Sequence, residues 1–120
     1  MSVETDLRAM LLASPAVTAL VGTRVVSDRM EEGAPRPFLV FTRTGTRYDE
    51  DLTTGAALGG TASIELQVWA DSRSTAEAVA DACEAAVRAA DQEVLSRASG
   101  YDPDMDVESV VLMIDWWWSA

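Results

Sequence analysis

Residues 61–70, Thr-Ala-Ser-Ile-Glu-Leu-Gln-Val-Trp-Ala, decide the fold. Small or apolar side chains stand at every second position, and polar side chains or tryptophan stand between them. This period of two is that of a β-strand with one face in a core and the other at least partly exposed to water. The stretch therefore predicts a half-buried strand in the middle of the chain.

An amphipathic helix follows this strand. Ser74 and Glu77 match the S-x-x-E pattern of a capping box, and small apolar residues then recur at helical spacing as far as Ala90. Because the apolar stripe consists of small side chains, the helix can lie close to a sheet. We interpret residues 92–100 as a weaker continuation of the helix and residues 101–104 as a loop.

Residues 108–118 form a final strand that is apolar on both faces. Such a strand is either central in its sheet or covered on its second face by another molecule. Two of its tryptophans differ in expected role. We expect Trp116 in the core, whereas Trp117 suits an interface and a core equally well.

The N-terminal part begins with helical spacing of apolar residues from Val3 to Leu11. Ser14 followed by Pro15 restarts the helix, and Gly22 ends it. The pattern predicts a broken helical hairpin or two short helices.

Two further strands and a loop lie between these helices and residue 61. Residues 25–26 predict a brief strand, and residues 38–48 predict a long one because they are rich in β-branched and aromatic side chains. Residues 49–60 contain an acidic run and three glycines, and we interpret them as a loop of about a dozen residues.

The predicted order is helix, strand, strand, strand, helix, strand. This order suits a two-layer α+β fold, with a mainly antiparallel four-stranded sheet and two principal helices on one face. A chain of 120 residues is long enough for one compact domain, and we expect a single domain over residues 1–120.

Composition excludes most catalytic chemistry. The chain has no histidine and no lysine, which removes histidine-based nucleophile systems, phosphate-binding lysine loops and Schiff bases. The single cysteine, Cys83, lies in the helical stripe and suits a buried apolar role. We predict neither enzyme activity nor a cofactor.

Two acidic patterns are candidate sites. The alternating carboxylates at residues 102, 104, 106 and 108 resemble the start of a calcium loop, but Val107 and Met113 replace the glycine and the bidentate carboxylate that its geometry requires. The run at residues 49–51 offers carboxylates that cannot be held in different environments. We favour solvated acids at both places and predict no metal site.

Charge is strongly uneven along the chain. The net charge is −11, from nine arginines and 20 acidic residues, and the whole excess lies after residue 48. An acidic surface disfavours binding to DNA or to anionic membranes. No stretch is long and apolar enough for a membrane helix, and the acidic N-terminus is unlike a signal peptide. We expect a soluble protein made in a reducing cytosol.

Candidate interface residues lie mainly on the long strand and its loop. Arg43 and Arg47 are predicted to project from the same face and to pair with acids of a neighbouring subunit or of the same chain. Exposed acids and tryptophans complete the set, which is Arg43, Arg47, Asp49, Glu50, Asp51, Trp69 and Trp117.

The element order over residues 3–90 resembles a known family. The resemblance rests on four segments: residues 19–25, Ala-Leu-Val-Gly-Thr-Arg-Val, the strand at residues 35–40 that a proline precedes, the strand at 64–70 and the alanine-rich helix at 74–90. The chain resembles the small tail-completion or tail-terminator proteins of long-tailed bacteriophages and gene-transfer particles.

This resemblance implies a virion protein that assembles as a homo-oligomeric ring, a hexamer, at the head-proximal end of the tail tube. There it would end tube polymerisation and contact the tail tube protein and the head connector. DNA would pass through the ring without specific binding, past an acidic lining that repels phosphate. The competing interpretations are a head-completion or connector protein of the same particle and a small acidic enzyme or regulator with no viral role.

Overall fold

The computed structural model describes residues 2–50 and 57–119. Within these residues the order is helix, helix, strand, strand, strand, helix, strand, strand. The helices are α1 (Val3–Ala13), α2 (Pro15–Val21) and α3 (Arg73–Ala89). The strands are β1 (Val25–Ser27), β2 (Phe38–Glu50), β3 (Ala57–Ala70), β4 (Glu93–Asp102) and β5 (Val107–Ser119).

The two N-terminal helices are separate, and the boundary lies where the sequence predicts it. The backbone N–H of Ser14 donates to Leu11 at the end of α1, and the Ser14 hydroxyl accepts the N–H of Val17 in α2. Pro15 occupies the first turn of α2, and Gly22 ends the helix with a φ of 61°. The prediction of two short helices is confirmed.

The N-cap of helix α3 lies two residues before the predicted one. Ser72, and not Ser74, is the N-cap, and its hydroxyl accepts the N–H of Thr75 at 3.2 Å. Glu77 therefore does not close a capping box. Its carboxylate contacts β4 instead.

The sheet has five strands in the order β1-β2-β3-β5-β4 and is mixed, since β1 runs parallel to β2 and the other neighbours are antiparallel. The α+β class is confirmed, but the four-stranded antiparallel sheet is wrong. The strand that the prediction lacks is β4. The sequence analysis assigns residues 92–100 to a continuation of the helix, and this assignment is wrong. Apolar alternation is absent from β4: Val94 packs against the core, whereas Leu95 stands at a bulge with 52% exposure.

Strand β5 lies between β3 and β4, which confirms the interior position that its apolar faces predict. Its even-numbered residues pack with those of β3 against the helices, and Trp116 is 7% exposed, as expected for a core residue. The core includes Leu7, Leu11, Val17, Leu39, Phe41, Ile64, Leu66, Val68, Val79, Cys83, Val87, Leu112 and Ile114.

Strands β2 and β3 form a long arm, and the twelve-residue loop predicted at 49–60 is wrong at both ends. Asp49 and Glu50 belong to β2, residues 57–60 belong to β3, and residues 51–56 lie outside the described residues. Gly59 and Gly60 do not bend a loop here. They allow β3 to lie close to its neighbours, since a Cβ on Gly59 would overlap the backbone of Trp118, and a Cβ on Gly60 would overlap the backbone of Arg47.

We predict that Gly59→Ala lowers the free energy of unfolding by about 2 kcal/mol or more, because it combines this overlap with a φ of +138°. Gly45→Ala in β2 is the matched control, since a Cβ there has no described atom within 4 Å. It should change the free energy by no more than about 0.5 kcal/mol. Urea unfolding followed by circular dichroism measures both, and equal stabilities would contradict the prediction.

Candidate assembly surfaces

The helices cover one face of the sheet. The other face, which we call the open face, is at least partly exposed apart from Val40 and Val107, which are buried near its Trp69 end. On β3 this open face presents Thr61, Ser63, Glu65, Gln67 and Trp69, all partly exposed. Three of them form a hydrogen-bonded row, in which the Trp69 indole N–H donates to Gln67 at 3.1 Å and the Gln67 amide donates to Glu65 at 2.8 Å. The open face is therefore ordered and polar along the middle of β3.

Trp69 lies at one end of this face, far from Trp117. Its ring stacks on Phe38, with ring centroids 6.5 Å apart. Trp117 pairs with Thr61, which is eight residues away from Trp69 along β3, or about 27 Å at the rise of an antiparallel strand. The predicted interface residues therefore do not form one cluster.

Arg43 and Arg47 point to opposite faces, so the prediction of a shared face is wrong. The register of β2 on β3 shifts between Arg43 and Gly45 because Thr44 is an extra residue in a β-bulge. Arg43 is on the helix side, where it contacts Glu4 of α1 at 3.3 Å. Arg47 is on the open side next to Thr61.

The far end of the open face forms the surface that we call the arm patch. Arg47, Thr61 and Trp117 line it together with Asp115 and a short acidic segment, residues 91–93. Asp115 and Glu93 are direct cross-strand partners, so two carboxylates face each other there. Such like-charged pairs are unfavourable when left alone.

Trp117 is 58% exposed in the arm patch, and its backbone is fixed by Gln92. The Gln92 side chain accepts the Trp117 N–H at 2.7 Å and donates to the Trp117 carbonyl at 3.1 Å. No local sequence pattern predicts this role, because Trp117 is 25 residues away from Gln92 in the chain. Gln92 follows a turn at Asp91, whose φ is 59°. The indole is thus held in place while most of it remains exposed.

Asp49 and Glu50 lie near the tip of the arm. Asp49 pairs with Gly59 and is exposed. Glu50 is the last residue of β2, and its side chain is not among those described. Asp51 lies outside the described residues.

On the helix side of the sheet, Arg97 holds β4 against α3. Its guanidinium contacts the carboxylates of Glu77, Asp81 at 2.7 Å and Glu84 at 3.1 Å. The hydrogen bond from Arg97 is the main reason that the pKa of Glu77 lies below its usual value. For Glu84, whose pKa is also lowered, the hydrogen bond from Arg88 is the largest cause.

The described residues contain no group of three or more His, Cys, Asp or Glu side chains that could hold a metal ion. Cys83 is buried, and desolvation raises the pKa of its thiol to about 12, which makes it a poor nucleophile. The alternating carboxylates lie around the turn between β4 and β5. Asp102 accepts the N–H of Asp104, Asp106 accepts the Tyr101 hydroxyl, and Glu108 pairs with Arg73. In the part of the chain that the structure describes, no helix is long and apolar enough to cross a membrane.

Comparison with known proteins gives matches both to a family model and to solved structures. The model of a family described as tail completion protein gp17 matches residues 5–119. Among solved structures, a chain from the virion of a native gene transfer agent particle is similar over 99% of this chain and 96% of that one, with a TM-score of 0.84 and 19% sequence identity. No curated protein sequence gives a significant match.

The Arg97 contacts predict a pH dependence of stability. Glu77 and Glu84 have pKa values in the folded chain below the usual value for a glutamate, so their stabilising effect is present above that usual pKa and is lost as the pH falls through the folded-state pKa. Arg97→Met should remove most of this acid-induced loss. Arg88→Met, which removes one contact with Glu84, should remove less.

Urea unfolding at several pH values between about 3 and 7 measures this difference. The expected result is a flatter dependence for Arg97→Met than for Arg88→Met, and a flatter dependence for both than for the natural chain. Parallel curves for all three proteins would contradict this role of Arg97.

Proposed function

The chain belongs to the tail completion protein gp17 family, and we propose that it forms a ring that closes the head-proximal end of a virion tail tube. The observation that carries the proposal is the family match, which extends over residues 5–119 and so includes every strand and helix except the first residues of α1. As a tail completion protein, the chain is a structural component of the virion tail.

The proposed ring contains six copies, ends polymerisation of the tail tube and joins the tail to the head connector. The similar chain from a gene transfer agent particle is part of a virion, which supports partners of this kind. We propose that the whole chain acts as a single domain. Its role would be structural and not catalytic, consistent with the buried thiol of Cys83.

The charge of the chain suits a passage for DNA. The net charge of −11 arises mainly after residue 48, and several carboxylates, including Glu65 and Asp115, lie on the open face of the sheet. An acidic lining repels phosphate over about a Debye length, roughly 8–10 Å at moderate salt. The ring would therefore let DNA pass without binding it.

The arm supplies contacts to a ring neighbour or to the tube in this proposal. Arg47, Asp49 and Trp117 lie near its tip on the open face, and Glu50 is the last residue of β2. Asp51, which follows Glu50 in the sequence, is proposed to contribute to the same contact. Trp69 would form a second contact region at the opposite end of the same face. Arg43 faces the helices and pairs with Glu4, so we assign its assembly role to positioning the base of the arm.

Particles assembled from a genome that lacks the coding sequence of this chain test the proposed function. We expect headless tails with tubes of irregular, extended length, because nothing would end polymerisation. Adding the purified chain during assembly should restore uniform tails that join heads. Electron microscopy measures tube length and joining.

Two outcomes would contradict the proposal. Tails of normal length that lack only the head joint would favour the head-completion alternative. Normal, infectious particles without the chain would exclude both functions.

The substitution Trp117→Ser tests whether the arm patch contributes to contacts between subunits of the ring. We expect the dissociation constant of the ring to rise about tenfold or more, because an exposed indole at an interface contributes much of the binding energy. The stability of the single chain should change little, since Trp117 is 58% exposed.

Ala19→Ser is the control, because Ala19 is exposed on α2, which lies on the helix side of the sheet and outside both proposed contact regions. Sedimentation measures assembly, and urea unfolding measures stability. A Trp117→Ser variant that assembles as well as the control would exclude this role.

A further inference from the structure

We propose that the unpaired edge of β2 pairs with the β4 edge of a second copy of this chain, so that the sheets of neighbouring subunits become continuous. This pairing rests on the ring proposed above and names the surfaces that build it. The evidence consists of two open edges, their relative direction and their charge.

The first open edge is the outer half of β2. Strand β1 pairs with only three residues of β2, Leu39 to Phe41. From Thr42 to Glu50, no strand in the described residues pairs with this side of β2. Nine residues of strand, about 30 Å, are left with an open edge.

The backbone groups on this edge can be assigned from the register. The Leu39 N–H donates to Arg24 on the β1 side, and Leu39 pairs with Val68. The backbone groups of Leu39 therefore point away from β3, and Leu39 lies opposite an even-numbered residue of β3. Because this direction alternates along an antiparallel strand, every residue of β2 opposite an even-numbered residue of β3 directs its N–H and C=O away from β3. Beyond the bulge these residues are Thr46 and Tyr48.

The second open edge is β4, which is the last strand of the sheet. The N–H and C=O of Trp117 are directed to Gln92 on the β4 side, so the odd-numbered residues of β5 face β4. Residues of β4 opposite even-numbered residues of β5 therefore direct their backbone groups outward. Ser99 is one of them, and it lies in the regular part of β4 beyond the bulge at Leu95.

The strand directions favour joining these two edges. Strands β2, β3, β5 and β4 alternate in direction, so β4 runs antiparallel to β2. When one rotation relates each subunit to the next, β4 of one copy meets β2 of its neighbour in antiparallel orientation, the more stable pairing. The same rotation can close a ring, whereas pairing two β2 edges or two β4 edges gives only a twofold dimer.

The charges favour contact between unlike edges. The β2 edge is balanced, with two arginines, Arg43 and Arg47, followed by Asp49 and Glu50. The β4 edge with its preceding turn is acidic, because Asp91, Glu93 and Asp102 outnumber Arg97. Two acidic β4 edges would repel each other, whereas the β2 edge offers arginines to the acids of β4. Long unpaired edges are typical sites for pairing with another chain. The occupant that fits both edges is therefore a second copy.

Proline substitutions test the pairing, because proline removes an outward N–H while edge strands tolerate it. We expect Thr46→Pro and Ser99→Pro each to fold, as judged by circular dichroism, and each to remain monomeric in sedimentation. The matched controls are Thr46→Ala and Ser99→Ala. They lose the same hydroxyl hydrogen bonds but keep the N–H, and they should assemble like the natural chain.

Mixing the two proline variants gives a sharper test. Thr46→Pro keeps an intact β4 edge, and Ser99→Pro keeps an intact β2 edge, so together they can form one interface but no ring. A species with the mass of two chains in the 1:1 mixture, and only monomers in each variant alone, is the expected result.

Amide hydrogen exchange of the natural chain provides a test that needs no variant. The amides of Thr46, Tyr48 and Ser99 should exchange at least tenfold more slowly in the assembled form than in dilute monomer. Unchanged exchange at these amides in the assembled form would overturn the pairing even if the proline variants failed to fold.

The outcomes separate the pairing from the proposed ring. A natural chain that assembles while both proline variants assemble equally well overturns the edge pairing and leaves the ring intact. A natural chain that stays monomeric both alone and on purified tail tubes overturns the ring and the pairing together.

Discussion

The architecture depends on a sheet that is buried mainly on one face. Even-numbered residues of β3 and β5, such as Ile64, Leu66, Leu112 and Ile114, are fully buried under the helices. Most of their odd-numbered neighbours are partly exposed and form the open face, which is buried only near Val107. Because apolar burial is concentrated on one side, the helices are confined to that side. The open face and both sheet edges then remain available to other molecules.

The second constraint is electrostatic and concerns β4. This strand brings few apolar side chains to the core, and Arg97 instead joins it to the acidic side of α3. Three carboxylates at one guanidinium attach β4 without covering its outer backbone edge. A strand held in this way keeps both its place in the sheet and a free edge, which suits a subunit whose proposed role is to join others.

Much of the fold could be predicted from local patterns. Three local patterns predicted elements that the structure contains. They are the alternation at residues 61–70, the helix boundary at Ser14-Pro15 and the final strand with apolar residues on both faces. Each of these patterns depends on side chains that are close in sequence. Strand β4 could not be predicted, because its stability comes from pairing with β5 and from Arg97, which are remote interactions. Composition indicated a structural role, but the arm patch depends on Gln92, which carries no sequence signal.

The sequence by itself determined the fold class, the core-facing residues of β3 and β5, the burial of Trp116 and the uneven charge, because periodicity and composition are properties of the chain alone. Only the tertiary structure decided the faces of Arg43 and Arg47, since one extra residue at Thr44 reverses the alternation of β2. It also decided which strand edges stay open. Edges result from strand order, and strand order is set by contacts between segments distant in sequence.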